Sequence, residues 1–186
     1  MHIAWRHVTA REGFEVAFVR TDADETVVDG QVAACEAGAA WGVRYRIVLD
    51  EAWRTRTASV NSVSAAGSVE LELETVSPGE WTANGRHVPA VSGCLDVDLE
   101  ASVLTNAFPV RRLQLAVGAV AAAPAVYVRA PELAVDRLEQ TYERLPADGD
   151  EERYAYSAPA FDFAAELVYD AAHILTDYPG LAVRVL

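Results

Sequence analysis

The chain has 186 residues, of which 52% are hydrophobic and 23% are charged, and its formal net charge is −13. This composition excludes an intrinsically disordered chain, and the length predicts a single domain, residues 1–186, with a core of its own. The acidic balance argues against a surface for duplex nucleic acid, because a polyanion requires a basic field, and we expect no nucleic-acid partner.

Short segments of alternating apolar and polar residues fill the chain, and turn signals such as Asp29-Gly30, Asn84-Gly85 and Pro179-Gly180 separate them. This rhythm is typical of antiparallel β proteins. In chain order it predicts strands at 4–8, 14–19, 26–35, 41–49, 54–61, 69–75, 80–83, 95–99, 112–117, 125–130, 153–157, 161–169 and 182–185. So many strands indicate an all-β fold with one large curved sheet, whose concave apolar face is the first candidate site.

The most regular stretch predicts a three-stranded meander formed by strands 41–49, 54–61 and 69–75. Direct opposition of these strands pairs Arg46 with Thr57, and Thr57 with Glu74. The outer face is expected to carry the polar side chains of Arg44, Arg46, Thr57, Ser59, Glu70, Glu72 and Glu74. The inner face is expected to carry Tyr45, Ile47, Leu49, Ala58, Val60, Leu71 and Leu73, together with Arg54 and Arg56. A slip of one residue would reverse this placement of the two arginines.

A short helix is predicted at residues 131–138, which open with Pro131 and keep a helical spacing of apolar residues through Tyr142 and Leu145. Residues 139–145 can also pair with strand 153–157 across the acidic turn at 148–150. We therefore expect a short helix followed by a strand in this region.

The longest uncharged run, residues 113–128, is shorter than the roughly 20 residues of a spanning helix, and Gly118 and Pro124 interrupt it. We interpret it as two strands and a turn, and we expect no stable membrane insertion. The N-terminus lacks the pattern of a secretory signal. The cysteines, Cys35 and Cys94, are too few for a disulfide framework, so we expect free thiols and a cytoplasmic location. The oligomeric state stays open.

Three constellations could carry chemistry. The first is Trp53-Arg54-Thr55-Arg56, in which a flat indole and two guanidinium groups could hold a phosphate, a carboxylate or a sugar. The structural alternative is a tryptophan in the core, with the arginines paired to glutamates on a neighbouring strand. No phosphate-binding loop is present, and the four histidines have no metal-ligand spacing, so we expect neither cofactor nor metal.

The second constellation is Asp96-Val97-Asp98-Leu99-Glu100, where alternation along a strand places three carboxylates on one face. Such a row could hold a hard cation, but it more often pairs with arginine. The third constellation is the predicted loop 105–113, in which Pro109 leads into Arg111 and Arg112. One of these arginines is expected to pair with Asp96 or Asp98, while the other turns to solvent or to a ligand.

These motifs are followed by Asp177-Tyr178-Pro179-Gly180-Leu181 and Arg184, and together they span nearly the whole chain. In this order the chain resembles the bacterial family of putative glycolipid-binding proteins. That resemblance implies a fold similar to the lipoprotein-localisation factors, in which a large antiparallel sheet is bent into a half-barrel and a few short helices fill its hollow. It also implies lipid or glycolipid binding in the hollow, without catalysis.

We therefore expect a carrier or sensor for an amphipathic lipid, with ligand contacts from Trp53, Arg54, Arg56, Arg111, Arg112, Asp96, Asp98 and Tyr178. Two alternatives remain open. The chain could be an interaction or structural module whose own side chains fill the hollow. It could also be an enzyme acting on a small hydrophobic substrate, with Asp96, Asp98 or His173 as acid or base.

Overall fold

The computed structural model describes residues 1–9 and 11–186, which form an all-β fold with an open fourteen-stranded antiparallel sheet and a separate three-stranded sheet. Numbered in chain order, the strands are β1 (His2–His7), β2 (Glu12–Thr21), β3 (Glu25–Glu36), β4 (Ala39–Asp50), β5 (Thr55–Ser64), β6 (Gly67–Ser77), β7 (Glu80–Ala83), β8 (Arg86–His87), β9 (Asp96–Leu99), β10 (Val120–Ala122), β11 (Ala125–Val128), β12 (Val135–Leu138), β13 (Thr141–Asp148), β14 (Glu151–Ala158), β15 (Phe163–Tyr169), β16 (Leu175–Tyr178) and β17 (Ala182–Arg184). The fold class predicted from the sequence is thus confirmed.

The large sheet is continuous from β10 at one edge to β8 at the other. Its order is β10-β13-β14-β15-β16-β17-β1-β2-β3-β4-β5-β6-β7-β8. The small sheet, β12-β11-β9, includes a parallel pair in which Tyr127 of β11 lies beside Asp98 of β9. Helix α1 (Ala107–Leu113) and three 3-10 turns, at Pro89–Val91, Leu104–Asn106 and Pro159–Phe161, complete the fold.

The small sheet and α1 pack against the inward-facing side chains of the large sheet. One core cluster joins Ile47 of β4, Val97 of β9, Phe108 of α1 and Val126 of β11. Backbone hydrogen bonds also tie the large sheet to the segment before β9, where the amide of Thr55 in β5 donates to the carbonyl of Leu95 over 2.9 Å. The hollow of the sheet is therefore largely filled by the chain itself.

The predicted meander is present, with a different register between its first two strands. Thr57 opposes Glu74, as expected, but Arg46 opposes Ser59 instead of Thr57. A β-bulge between β4 and β5 makes Arg56 an extra residue, since Val48 opposes Thr57 while Leu49 opposes Thr55. The inner-face placement of Arg54 and Arg56 was therefore wrong: Thr55 is buried, Arg54 is half-buried and Arg56 is exposed.

The predicted secondary structure was wrong in two regions, residues 131–138 and residues 105–117. The predicted helix at 131–138 is instead a turn followed by β12, because Leu133 has a φ of 56° that ends any helix there. The alternative pairing is confirmed, with β13 and β14 forming a hairpin. The predicted loop 105–113 is instead a 3-10 turn and α1, since Pro109 is tolerated in a first helical turn. The predicted strand 112–117 is not present, because α1 extends to Leu113 and residues 114–117 form no strand.

Strand β2 buries the acidic residue Glu15 on its inward face beside Ala17 and Val19, and leaves large apolar residues on its outward face. Glu15 is completely buried, whereas Phe14 and Phe18 are each about half exposed on the outer face. The Glu15 carboxylate accepts hydrogen bonds from the Tyr45 hydroxyl over 2.5 Å, from the Ser102 hydroxyl over 2.5 Å and from the Val103 amide over 2.6 Å. This buried acid therefore fixes the segment after β9 onto the large sheet.

Gly30 of β3 makes room for that network. An added Cβ at Gly30 would lie 2.0 Å from Cζ of Tyr45, whose ring crosses β3 to reach Glu15. We expect Gly30→Ala to lower the free energy of unfolding by about 1–3 kcal/mol, because the ring must move and its hydrogen bond is lost. Urea denaturation measures the change. Gly42→Ala is the matched control, since its Cβ meets only the Val32 carbonyl at 3.4 Å, and an equal loss in both variants would contradict the explanation.

Candidate functional site

A cleft of about 260 Å³ remains on the inner side, between the small sheet and strands β14–β16 of the large sheet. We call it the Asp98 cleft. Its lining residues are Arg11, Glu36, Asp98, Leu99, Glu100, Ser102, Asn106, Tyr127, Leu138, Tyr156, Ala158, Phe161, Phe163, Tyr178 and Leu181. Apolar and aromatic side chains dominate this set, and carboxylates are its commonest charged groups.

Asp98 carries a free carboxylate oxygen into the cleft. The residue is only 8% exposed, and its Oδ1 accepts a hydrogen bond from the Thr105 hydroxyl over 2.9 Å. Its Oδ2 has no hydrogen-bond partner among residues 1–9 and 11–186. This oxygen is nevertheless not among the solvent-inaccessible side-chain atoms that lack a partner, and Asp98 lines the cleft. The free oxygen therefore faces the cavity.

The surroundings of Asp98 raise its pKa above the ordinary value of an aspartate. Loss of solvent raises the pKa of Asp98 to about 6, the nearby charges of Asp96 and Glu100 add to the rise, and the Thr105 hydrogen bond opposes it. Asp98 is thus mostly ionised at neutral pH but changes charge just below it. A carboxylate in this state can accept a hydrogen bond, pair with a cation or exchange a proton.

Two clusters of aromatic rings, which we call the aromatic walls, line the cleft together with this carboxylate. Tyr156, Phe163 and Tyr178 form one cluster, whose ring centroids lie 5.9–6.3 Å apart. In the other cluster Tyr127 packs against Phe161 at 5.4 Å. Burial raises the pKa of each tyrosine in the cleft, so their hydroxyls stay protonated and can act as donors or acceptors.

One cationic side chain lines the cleft, and it is engaged elsewhere. Arg11 donates to the carbonyl of Glu100 over 2.9 Å and lies 5.3 Å from the ring centroid of Trp41. The carboxylate of Glu100 accepts the amide of Ala130 over 2.9 Å. With Glu36 and Asp98, the lining carries three carboxylates against one guanidinium, so the cleft is electronegative.

Of the ligand residues predicted from the sequence, Asp98 and Tyr178 line this cleft. Asp96 is not among the residues that line it and forms a buried pair with Arg112, whose Nε and Nη2 lie 3.0 Å and 2.5 Å from its oxygens. The expected pairing of one arginine with Asp96 or Asp98 is therefore present. Removing either partner of such a pair would leave an uncompensated buried charge.

Trp53 and Arg111 contact each other at a different place. The Arg111 guanidinium lies 4.1 Å from the indole centroid, and Phe108 packs at 6.5 Å. Arg111 also donates to the carbonyl of Ala172, and burial is the main cause that lowers its pKa. This stack ties the turn before β5 to α1.

A second cavity, of about 170 Å³, lies beside Arg54 and Arg56. Arg54 is paired with Asp50 over 2.8 Å, whereas Arg56 has no ion-pair partner in the described part of the chain. Cys94 also lines this cavity, and burial raises the pKa of its thiol to about 11, so the thiolate is scarce at neutral pH. The structure thus separates Arg54 and Arg56 from Asp98 and Tyr178.

His173 lies outside both cavities and contacts Glu152 at 2.9 Å, apart from Asp96 and Asp98. Within residues 1–9 and 11–186, no group of three or more metal-ligating side chains comes together. Sequence reasoning missed Tyr127, Tyr156 and Phe163. The alternation of aromatic residues in 153–157 and 161–169 was visible, but nothing local shows that these strands face β9.

No helix in the described part of the chain is long and apolar enough to cross a membrane.

Comparison with known proteins identifies relatives. A crystal structure of a DUF1089 family protein from Pseudomonas aeruginosa is 33% identical, covers 92% of each chain and superposes with a TM-score of 0.78. No curated protein matches the chain. A sequence profile matches residues 2–184, and the chain accordingly belongs to the family described as "Putative glycolipid-binding".

Proposed function

We propose that the protein binds the polar end of an amphipathic lipid or glycolipid in the Asp98 cleft, without catalysis. One observation carries this proposal: a nearly buried carboxylate with a free oxygen lines a cleft together with two aromatic walls. Aromatic rings cover the apolar faces of a sugar or a short chain, while Asp98 and the tyrosine hydroxyls select polar groups.

The size of the cleft limits what enters it. Its volume of about 260 Å³ lies below the roughly 300–1,000 Å³ of pockets for drug-sized ligands. A headgroup fits such a space better than a long acyl chain does. Burial of each methylene gains about 0.8 kcal/mol in a protein or in a bilayer alike, so selectivity comes from the polar end. The tail would follow the mouth of the cleft, where Phe161 is 44% exposed.

The remaining predicted ligand residues have separate roles in this proposal. Arg54 and Arg56 border the second cavity, where an anionic group could bind. Trp53, Arg111, Arg112 and Asp96 support the inner layer through the stack and the buried pair. We extend the proposal to a cytoplasmic location, in which Cys35 and Cys94 persist as the free thiols that the structure contains.

Octyl glucoside, used below its micelle concentration, tests the proposal by isothermal titration calorimetry. We expect binding to the unmodified protein and about a tenfold loss of affinity in Phe163→Ala, which removes one of the three rings of an aromatic wall. Phe14→Ala is the matched control, because Phe14 is exposed on the outer face of β2. Arg56→Gln examines the second cavity and should leave the affinity unchanged.

Absence of binding to any octyl amphiphile would overturn the proposal, as would an equal effect of the two phenylalanine changes. A loss of affinity confined to Arg56→Gln would move the ligand to the second cavity. Native mass spectrometry of protein purified from its own host provides an independent check, because a bound amphiphile should travel with the unmodified protein and be depleted in Phe163→Ala.

A second candidate function is an enzyme acting on a small amphiphile. The observation in its favour is the placement of Asp98 in a cleft, where burial raises its pKa to about 6, close to the range of a general acid or base. Turnover that disappears in Asp98→Asn, while the octyl glucoside still binds, would favour the enzyme. Binding without chemical change of the ligand favours the carrier.

A further inference from the structure

We propose that the Asp98 cleft receives a primary ammonium group of its ligand, with the Asp98 carboxylate as counter-ion and the aromatic walls around the cation. This inference rests on the proposed function, because it names the polar group that enters the same cleft. The ligand class is an amphiphile bearing an amine, either on a sugar or directly on the apolar chain.

The first argument is the missing counter-charge at Asp98. A buried carboxylate is normally paired with a cation or surrounded by donors. In this chain Asp96 is paired with Arg112, and Glu15 is bonded by the hydroxyls of Tyr45 and Ser102 and by backbone amides. Asp98 has one neutral donor, Thr105, and a free oxygen facing an accessible cavity.

The second argument is that the described residues supply no free cation to the lining of the cleft. Its single arginine, Arg11, is directed to the carbonyl of Glu100 and to the ring of Trp41. The two other carboxylates of the lining, Glu36 and Glu100, increase the negative potential. An anionic headgroup would meet three carboxylates, and a neutral sugar would leave the buried charge of Asp98 uncompensated.

The third argument is the arrangement of the aromatic rings. Cations bind over the faces of tyrosine and phenylalanine rings within about 6 Å of the centroid. Tyr127 and Phe161 form one aromatic wall of the cleft, and Tyr156, Phe163 and Tyr178 form the other. A primary ammonium has three donors, so it can also donate hydrogen bonds to Oδ2 of Asp98 and to the Tyr127 hydroxyl. Neither of these oxygens is hydrogen-bonded to another described residue.

Four probes with the same octyl chain test the inference by calorimetry at pH 7.5: octylamine, octyl 2-amino-2-deoxyglucoside, octyl glucoside and octanoate. We expect at least one amine to bind at least tenfold more tightly than octyl glucoside, and octanoate to bind most weakly. Tighter binding of the aminoglucoside identifies an amino sugar as the source of the ammonium, and tighter binding of octylamine identifies a simple amine. Either result supports the inference.

Asp98→Asn should lower at least tenfold the ratio of the affinity for the amine to the affinity for octyl glucoside, because asparagine removes the negative charge and keeps a hydrogen-bond acceptor. Asp24→Asn is the matched control, since Asp24 is exposed in the turn between β2 and β3 and tests for general attraction to an acidic protein. Equal affinity for amine and glucoside, or a preference that survives in Asp98→Asn, would overturn the inference and leave the proposed function standing. Failure of all four probes to bind would instead overturn the proposed function.

Discussion

Replacing Glu15 with leucine is expected to lower the free energy of unfolding by about 3–5 kcal/mol, the largest loss that we predict for a single side chain. The change leaves two hydroxyls, of Tyr45 and Ser102, and the amide of Val103 without their acceptor inside the core. Leucine cannot accept any of these bonds, and each buried donor without a partner costs about 1–3 kcal/mol.

Urea denaturation of Glu15→Leu and Glu15→Gln measures the effect. Glutamine retains one acceptor oxygen but places an amide against the Val103 N–H, so we expect a smaller loss of about 1–2 kcal/mol. Glu12→Leu is the control on the same strand, because Glu12 is exposed and should change stability by less than about 0.5 kcal/mol. A loss below about 1 kcal/mol in Glu15→Leu would show that the network is not what holds the layers together.

The Glu15 network also connects the fold to the site. Ser102 contacts Glu15 and lines the Asp98 cleft, and the following Thr105 holds Oδ1 of Asp98. Amide hydrogen exchange at residues 102–106 should therefore accelerate in Glu15→Leu even where the protein remains folded. The acid on β2 thus positions a segment that lines the cleft.

The fold class was predictable because alternation along a strand is a local property of the sequence. The pairing of Thr57 with Glu74 followed from it, and so did the β13–β14 hairpin. The bulge at Arg56 was not predictable, since one extra residue depends on the partner strand. Strand β2 illustrates the same limit: its alternation is clear, but only the network around Glu15 decides which face turns inward.

The candidate site was only partly predictable for a related reason. Asp98 stood out as one of three alternating carboxylates, and the pairing of Asp96 with Arg112 was anticipated. The walls of the cleft come from Tyr127, Tyr156 and Phe163 on three strands that are distant in sequence. Their convergence depends on how the small sheet packs against the large one, and no local pattern encodes that arrangement.

Replacing Asp98 with asparagine is expected to stabilise the ligand-free protein at pH 8 by up to about 3 kcal/mol. Burial raises the pKa of Asp98 from 3.8 in the unfolded reference to about 6 in the folded protein. A difference of about 2 pKa units corresponds to about 3 kcal/mol in the free energy of unfolding. The unmodified protein has this contribution below pH 4 and loses it as the pH rises through 6. Asparagine is neutral throughout and still accepts the Thr105 hydrogen bond at Oδ1.

Urea denaturation at pH 4, 6 and 8 measures this gain as the difference between Asp98→Asn and the unmodified protein. The difference should be largest at pH 8 and close to zero at pH 4. His7 acts in the opposite direction, because burial lowers its pKa to about 4 and its contribution is lost as the pH falls below 6.5, but both proteins share it and the difference removes it. Asp24→Asn should show no gain.

A destabilised Asp98→Asn protein at pH 8 would assign Asp98 to the support of the fold. A stabilised one would show that the chain keeps a carboxylate at a cost to its own folding, which is typical of residues retained for binding. Octylamine should then recover the lost stability of the unmodified protein at pH 8, because a cation in the cleft compensates the charge of Asp98. The asparagine variant should gain little from the same ligand, and this contrast links the stability of the fold directly to the chemistry of the cleft.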